Sequence, residues 1–228
     1  MSLLRRFFSR PLSIAHGSRG SGYLAGGKCT EAIAEYSKAI QFDPSDGEAN
    51  LQRALAYGEI SQHDQAIADC TEAIKRNPGF AKAYCWRGAN LFLFRGVART
   101  KNGFLRKNPS EFDSAIADCN EAIRLSPANA RAYQQRGQAY GGKLDHDHAI
   151  ADSTETLRLD PTNVEAFFCR ATAYKYKQDH ARAISDLSQA ISLRPNGVLY
   201  RVRASVYRAV GEQEKAASDE RKAHELGK

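Results

Sequence analysis

Proline recurs at a fixed interval of 34 residues along most of this 228-residue chain. Each of these prolines closes a phrase such as AIQFDP, AIKRNP, AIRLSP, TLRLDP or AISLRP. One interval is 49 residues, which is one period plus 15 residues. Such a period predicts an array of helical repeats, each burying its apolar face only against its neighbours. The prolines are Pro44, Pro78, Pro127, Pro161 and Pro195.

Six repeats fall into register when each proline is placed at position 32. Small residues occupy positions 8, 20 and 27, where they allow two helices to approach closely, and position 11 is Tyr in five repeats. Apolar residues spaced three and four apart predict a helix in each half, with a break near position 15 and an end at the proline. The repeats span 13–46, 47–80, 81–129, 130–163, 164–196 and 197–228.

This pattern resembles the tetratricopeptide repeat family over residues 13–228. The resemblance implies an all-α fold, an α-solenoid in which six antiparallel helix pairs form a right-handed superhelix. It also implies a non-enzymatic protein-interaction adaptor or scaffold that uses no cofactor. The family's tryptophan at position 4 is absent, and Trp86, at position 6, is the only Trp of the chain. Position 4 holds His16, Asn50, Tyr84, Tyr133, Phe167 and Tyr200.

In this family the first helix of each repeat lines a concave groove. Carried onto this chain, positions 2, 5, 6, 9, 12 and 13 give a largely neutral groove of aromatic and amide side chains, including Lys175 at position 12 and Ser205 at position 9. Such a surface suits a peptide or partner protein with apolar anchors. The groove residues predicted to bind it are Leu51, Leu55, Trp86, Phe92, Gln134, Gln135, Gln138, Phe168, Tyr176 and Arg201.

One subclass of the family, the co-chaperones, grips a C-terminal carboxylate with Lys, Asn and Arg residues at fixed positions of three successive repeats. Here the clamp's first position holds Leu51 or Gln134, depending on the repeat at which the triplet starts. The sequence therefore predicts no chaperone carboxylate clamp.

The net charge of +7 is concentrated in two segments. Residues 1–30 and 95–109 each carry five positive charges and no acid, so the rest of the chain is mildly acidic. Residues 95–109 are the 15 extra residues, expected to form a basic loop between the two helices of the third repeat. Together with the basic N-terminal residues they are a second candidate site, for an acidic protein, nucleic acid or an anionic lipid surface, or else they are a tolerated insertion. The charged residues are Arg95, Arg99, Lys101, Arg106 and Lys107.

Residues 1–12 form a basic, amphipathic arm that Pro11 is expected to end. Three roles compete for it: lying on a membrane surface, acting as an organelle transit peptide, or docking on the glycine-rich first repeat or the groove. The glycines are expected to weaken the first helix of that repeat. The sequence favours a cytoplasmic location, with a membrane-associated or organellar one as the alternative.

Two ladders of charged residues recur with the 34-residue period, and neither of them indicates a binding site. Position 7 is always Arg and position 23 always acidic. The favoured interpretation is ion pairing within or between repeats rather than an anion-binding stripe.

Histidines at position 17 and cysteines at position 24 are expected to pack. The five cysteines form no CxxC pair, which argues against a zinc site or a disulfide framework and indicates a reducing compartment. Nucleophile and phosphate-loop motifs are missing from the sequence, so an enzyme is not predicted.

Overall fold

A computed structural model describes residues 3–96 and 109–227, with side chains described for residues 10–91 and 110–227. The described residues form twelve helices, and consecutive helices pack in pairs, which confirms the predicted all-α fold of six antiparallel pairs. The helices are α1 (Leu3–Ala25), α2 (Cys29–Phe42), α3 (Gly47–Glu59), α4 (His63–Arg76), α5 (Ala81–Gly96), α6 (Pro109–Leu125), α7 (Ala130–Gly142), α8 (His146–Leu159), α9 (Val164–Tyr176), α10 (His180–Leu193), α11 (Gly197–Ala209) and α12 (Gln213–Glu225).

The chain divides into two compact units, residues 1–127 and 128–228. Unit 1 contains α1–α6 and unit 2 contains α7–α12. In each repeat the odd-numbered helix is called the A helix and the even-numbered helix the B helix. Residues 1–2, 97–108 and 228 lie outside the described part of the chain.

The turn between the A and B helices has the same backbone form in five repeats. Its residue at position 15 has a positive φ, between 58° and 83°. Glycine adopts this left-handed conformation without a steric penalty, whereas other residues do so at a cost. The residues are Gly27, Ser61, Leu144, Gln178 and Gly211.

Small residues form the contact between the two helices of each repeat, as predicted. All six alanines at position 20 are at most 1% exposed, and the residues at position 27 are equally buried or nearly so. A Cβ atom added to Gly88 at position 8 would lie 3.2 Å from the Ala115 carbonyl oxygen. The short side chains therefore set the close spacing of the helices. The six alanines are Ala32, Ala66, Ala115, Ala149, Ala183 and Ala216.

The arginines at position 7 pair with the acids at position 23 of the same repeat. In five repeats the guanidinium donates two hydrogen bonds of 2.7–2.8 Å to one carboxylate, the bidentate geometry that suits arginine. In the first repeat Arg19 Nε lies 3.3 Å from Glu35 Oε2. The predicted ion-pair ladder is confirmed, and it joins the A and B helices within a repeat. The bidentate pairs are Arg53–Asp69, Arg87–Asp118, Arg136–Asp152, Arg170–Asp186 and Arg203–Asp219.

The same arginines also connect successive repeats. Four of them donate a further hydrogen bond, of 2.9–3.2 Å, to a Ser or Thr hydroxyl on the B helix of the preceding repeat. Each hydroxyl in turn donates to a carbonyl four residues earlier in its own helix. These hydrogen bonds fix the orientation of neighbouring repeats. The links are Arg53–Ser37, Arg87–Thr71, Arg170–Thr154 and Arg203–Ser188.

The N-terminal arm is not a separate element. Helix α1 runs without interruption from Leu3 to Ala25 with Pro11 inside it, so the expectation that Pro11 ends a helix was wrong. The proline ring removes one N–H donor, but the helix continues on both sides. The predicted boundary between residues 12 and 13 thus lies within α1. The glycines also leave this helix intact, and Gly20 is packed against Tyr36.

The A helices lie on the inner side of each unit. In unit 1, α1 contacts α3 and α3 contacts α5; in unit 2, α7 contacts α9. The B helices α2, α4, α8 and α10 instead contact the A helices on either side. Elements that converge in a curved array line its inner face, so the A helices present the candidate binding surface of each unit.

Among the residues that the structure describes, none of the helices combines the length and apolar character needed to cross a lipid bilayer.

Candidate functional site

The predicted groove residues of unit 1 have different environments. Leu51 is 1% exposed and belongs to the hydrophobic core with Ala54 and Cys70. Leu51 therefore packs in the core of unit 1, and its assignment to a binding surface was wrong. Leu55 is half-buried, and Trp86 is half-buried and packs against the same core. The side chain of Phe92 lies outside the described residues.

Two of the three predicted glutamines of unit 2 remain accessible. Gln134 and Gln138 are half-buried on α7, whereas Gln135 is 9% exposed and faces the packed interior. The assignment of Gln135 to the groove was therefore wrong. The side-chain oxygen of Gln134 accepts a hydrogen bond of 3.3 Å from Asn163 Nδ2, which holds it beside the turn that leads into α9.

Aromatic and cationic side chains on the A helices α9 and α11 keep accessible surface. Phe168 is half-buried and packs against the core of unit 2, with part of its ring accessible. Tyr176 is 63% exposed, and its ring stacks on His146 at a centroid distance of 5.0 Å. Arg201 is exposed on α11. Phe168 and Tyr176 lie on α9, and Arg201 lies on α11.

A hydrogen bond joins α9 and α11 across this face. Lys175 Nζ donates to Ser205 Oγ at 2.8 Å, and Ser205 donates its own proton to the Val202 carbonyl at 2.6 Å. Lys175 is half-buried. Arg201 lies one helical turn before Ser205 on α11, so both cations share one face.

The second candidate site lies largely outside the described structure. Arg99, Lys101, Arg106 and Lys107 belong to undescribed residues, and only the backbone of Arg95 is described. Ser110 lies inside the helix that follows this segment and is not its N-cap. Helix α6 begins one residue earlier, at Pro109, a residue whose fixed φ suits the first position of a helix.

Two of the position 17 histidines, His63 and His146, take part in packing, as predicted. His63 is 8% exposed, and its Nδ1 lies 2.9 Å from Asn90 Oδ1. His146 stacks on Tyr176, and His148 stacks on Tyr140 at 4.7 Å. The part of the chain covered by the structure contains no group of three His, Cys, Asp or Glu side chains able to hold a metal ion.

The position 24 cysteines are buried in the core, as predicted. Cys70 and Cys119 are fully buried, and burial raises the pKa of the Cys70 thiol to about 12. Burial also raises the pKa of Cys169. At neutral pH these thiols are protonated, which makes them poor nucleophiles and suits a packing role.

Two features of the arginine ladder were missed in the sequence. Position 4 supplies a ring against the arginine of its own repeat, at 5.5–5.8 Å from the guanidinium carbon. Position 25 supplies the hydroxyl that receives the hydrogen bond from the next repeat. The rings and the hydroxyls both recur with the 34-residue period, and this recurrence in the sequence could have revealed them. The rings belong to Tyr84, Tyr133, Phe167 and Tyr200.

Known proteins share this architecture. Residues 20–61 match a family model described as TPR repeat, and residues 47–80, 130–163 and 164–196 match one described as Tetratricopeptide repeat. The small glutamine-rich tetratricopeptide repeat-containing protein of Dictyostelium discoideum is 39% identical over 71 residues. That alignment covers 31% of this chain and 21% of the Dictyostelium protein, so the two share about a fifth of the relative's length.

Solved structures show the same fold at low sequence identity. The structure of pilF from Pseudomonas aeruginosa aligns with a TM-score of 0.74 at 18% identity, covering 94% of this chain and 90% of pilF. YrrB, described as a TPR protein with an unusual peptide-binding site, aligns with a TM-score of 0.62 at 18% identity, covering 87% of this chain and 92% of YrrB.

Proposed function

Because the chain belongs to the tetratricopeptide repeat family, we propose that it is a non-enzymatic adaptor that binds a segment of a partner protein along its A helices. The observation that carries this proposal is the accessibility of aromatic and polar side chains on the inner faces of α9 and α11. Phe168, Tyr176 and Arg201 retain exposed surface there, although the neighbouring alanines are fully buried in repeat packing. Exposed aromatic and arginine side chains contribute most of the energy of many protein interfaces.

The polar groups of the same face support binding of a peptide backbone. Gln138 on α7 and Thr172 on α9 are half-buried, at position 9 of successive repeats. An amide side chain can donate to a peptide carbonyl and accept from a peptide N–H at the same time. An extended segment has such groups free along its whole length, so this face could satisfy them while its rings hold side chains.

Affinity capture from a source lysate tests the proposal. The variant Tyr176→Ala/Arg201→Ala removes two exposed side chains from the face, so we expect it to fold normally and to lose proteins that the wild type retains. The matched control is Leu193→Ala/Arg158→Ala, which removes an exposed apolar side chain and an exposed arginine from the B helices α10 and α8. Equal capture by all three proteins, with equal helicity by circular dichroism, would contradict the proposal.

A second candidate function rests on the charge of residues 95–109, which carry five positive side chains and no acid. This segment would bind nucleic acid or an anionic lipid surface. Binding of a labelled single-stranded RNA and of phosphatidylserine vesicles should then fall steeply as salt is raised and disappear when residues 95–109 are deleted. Binding that is absent, or unchanged by the deletion, would rule out this candidate.

A further inference from the structure

The inner face of α9 and α11 has a charge imbalance. Glu165 is the only acid at the inward-facing positions of unit 2, and Arg194 already pairs with it. Arg208 pairs with Glu220 on α12. Lys175 and Arg201 have no carboxylate partner among the described residues.

The ammonium of Lys175 is held in place, whereas Arg201 is exposed. Lys175 is half-buried, and Ser205 fixes its ammonium by accepting a 2.8 Å hydrogen bond. Because the Ser205 proton is committed to the Val202 carbonyl, the serine can act only as an acceptor toward lysine. Two ammonium protons of Lys175 are left to donate, and a partly desolvated ammonium gains from an anionic partner.

From this arrangement we propose that the α9–α11 face recognises an extended peptide segment that carries two acidic side chains two residues apart, next to an aromatic or branched apolar residue. This inference rests on the proposed adaptor function and names the chemistry of its partner. One carboxylate would meet Lys175 and the other Arg201. The apolar residue would contact the accessible edge of Phe168.

The spacing of the acidic residues follows from geometry. Arg201 and Ser205 lie one turn apart on α11, and the Cβ atoms of residues four apart in a helix are ~6 Å apart. The Lys175 ammonium lies at hydrogen-bond distance from Ser205. In an extended chain, residues two apart point to the same side and lie ~6.6 Å apart, at ~3.3 Å per residue. Adjacent acids would point to opposite sides, so they would not reach both cations.

Phe168 stands at the same repeat position as Arg201, position 5, in adjacent repeats. The A helices run in the same direction, so the ring and the guanidinium lie at the same level of the face. A ligand that places a carboxylate on Arg201 therefore brings a neighbouring side chain to the ring. Burying that side chain against Phe168 would strengthen the nearby ion pair by excluding water.

The test is a selection of random 12-residue peptides displayed on phage, with the full-length protein as bait. The variant Lys175→Gln/Arg201→Gln removes both charges and keeps side chains of similar length. The control Arg221→Gln/Lys222→Gln removes the same two charges from exposed positions on α12. This control separates local recognition from general attraction by a chain of net charge +7.

We expect the wild type and the α12 control to enrich peptides with acidic residues two apart and an adjacent apolar residue. The Lys175/Arg201 variant should lose that enrichment. A synthetic copy of a selected peptide, labelled with fluorescein, should bind the variant about tenfold more weakly. Its Asn and Gln counterpart should bind the wild type equally weakly.

Three outcomes would overturn the inference. Enriched peptides without paired acids would leave the adaptor function standing and refute the acidic specificity. Acidic peptides retained by the Lys175/Arg201 variant would place the recognition elsewhere on the chain. No enrichment with any bait would refute peptide binding itself and, with it, the proposed function.

Discussion

Arg87 and Asp118 form two hydrogen bonds, of 2.8 and 2.7 Å, across a stretch that contains the 15 additional residues of the third repeat. In the other repeats that have this bidentate geometry, the arginine and the acid lie 16 residues apart. The inserted residues therefore leave the contact between α5 and α6 the same as the corresponding contact in the other repeats. The buried contacts of Gly88 with Ala115 and Cys119 are preserved in the same way.

Removing residues 95–109 should therefore leave the fold intact. The deletion would place Ser110 at position 15, where Ser61 already adopts the turn conformation in the second repeat. A shorter loop costs less entropy to close, so we expect the free energy of unfolding to be unchanged or to rise by about 1 kcal/mol. Urea unfolding followed by circular dichroism would measure it. A large loss of helicity would contradict this expectation.

Gly20→Ala should destabilise the first repeat even though alanine favours helices. A Cβ at Gly20 would lie 2.8 Å from the ring of Tyr36, which is 1% exposed and cannot move without disturbing the core. We expect a loss of about 1–3 kcal/mol, as for other overpacked cores.

Gly22→Ala is the matched control, because a Cβ there meets nothing within 4 Å. It lies two residues further along the same helix and should stabilise the protein by up to about 1 kcal/mol. The two variants should therefore shift the thermal midpoint in opposite directions. A shift in the same direction would show that packing against Tyr36 does not constrain α1.

Leu144→Gly should stabilise unit 2. Leu144 has a φ of 64° and is 64% exposed, so its side chain contributes little packing to offset the strained backbone. Glycine removes a cost of about 1–2 kcal/mol but loses entropy on folding, which leaves a net gain of about 0.5–1 kcal/mol. Leu144→Ala keeps the strain and should give no comparable gain in urea unfolding. Equal effects of the two substitutions would refute the strain argument.

Glu35→Gln should lower stability in a pH-dependent way. Hydrogen bonds from Lys38 and then His16 lower the pKa of Glu35 from 4.5 to about 2. A folded-state pKa below the ordinary value stabilises the protein above about pH 4.5, and this contribution is lost as the pH falls toward 2. Because Lys38 is half exposed, we expect a loss of about 1–2 kcal/mol at pH 7.

The difference between wild type and Glu35→Gln should narrow steadily below pH 4.5. Glu31→Gln removes an exposed carboxylate from the same helix and serves as the control. Denaturant midpoints measured from pH 7 to pH 3 would check the result. A difference that is constant over this range would show that ionisation of Glu35 does not contribute.

The sequence predicted the features that depend on the repeat period. Alanine at position 20 and the pairing of Arg53 with Asp69 follow from residues that recur in every repeat, and the structure confirms both. Features that depend on the direction of one side chain were harder to predict. Leu51 shares position 5 with Phe168, but the leucine is in the core and the phenylalanine is partly accessible.

Helix α1 shows a different limit of sequence reasoning. Pro11 locally disfavours a helix, but the helical residues on both sides continue through it. Local propensity is a weak guide when a helix has neighbours to pack against, and Ser13 and Gly20 are both buried. Lys175 was recognised as an inward-facing residue, whereas its hydrogen bond to Ser205 depends on the distance between two helices that no single repeat encodes.

The hydroxyl links between repeats bear on how a chain of this kind can change its length. Each linking arginine reaches an acid in its own repeat and a hydroxyl in the repeat before, so excising a whole repeat removes one donor together with one acceptor. Excising the second repeat, for example, would bring Arg87 to Ser37, and excising the fifth would bring Arg203 to Thr154, a hydroxyl at the same repeat position in each case. Arg203 keeps its link to Ser188 although the two lie 15 rather than 16 residues apart. Gene duplication or loss could therefore edit the protein in steps of one repeat without leaving an orphaned charge at the junction.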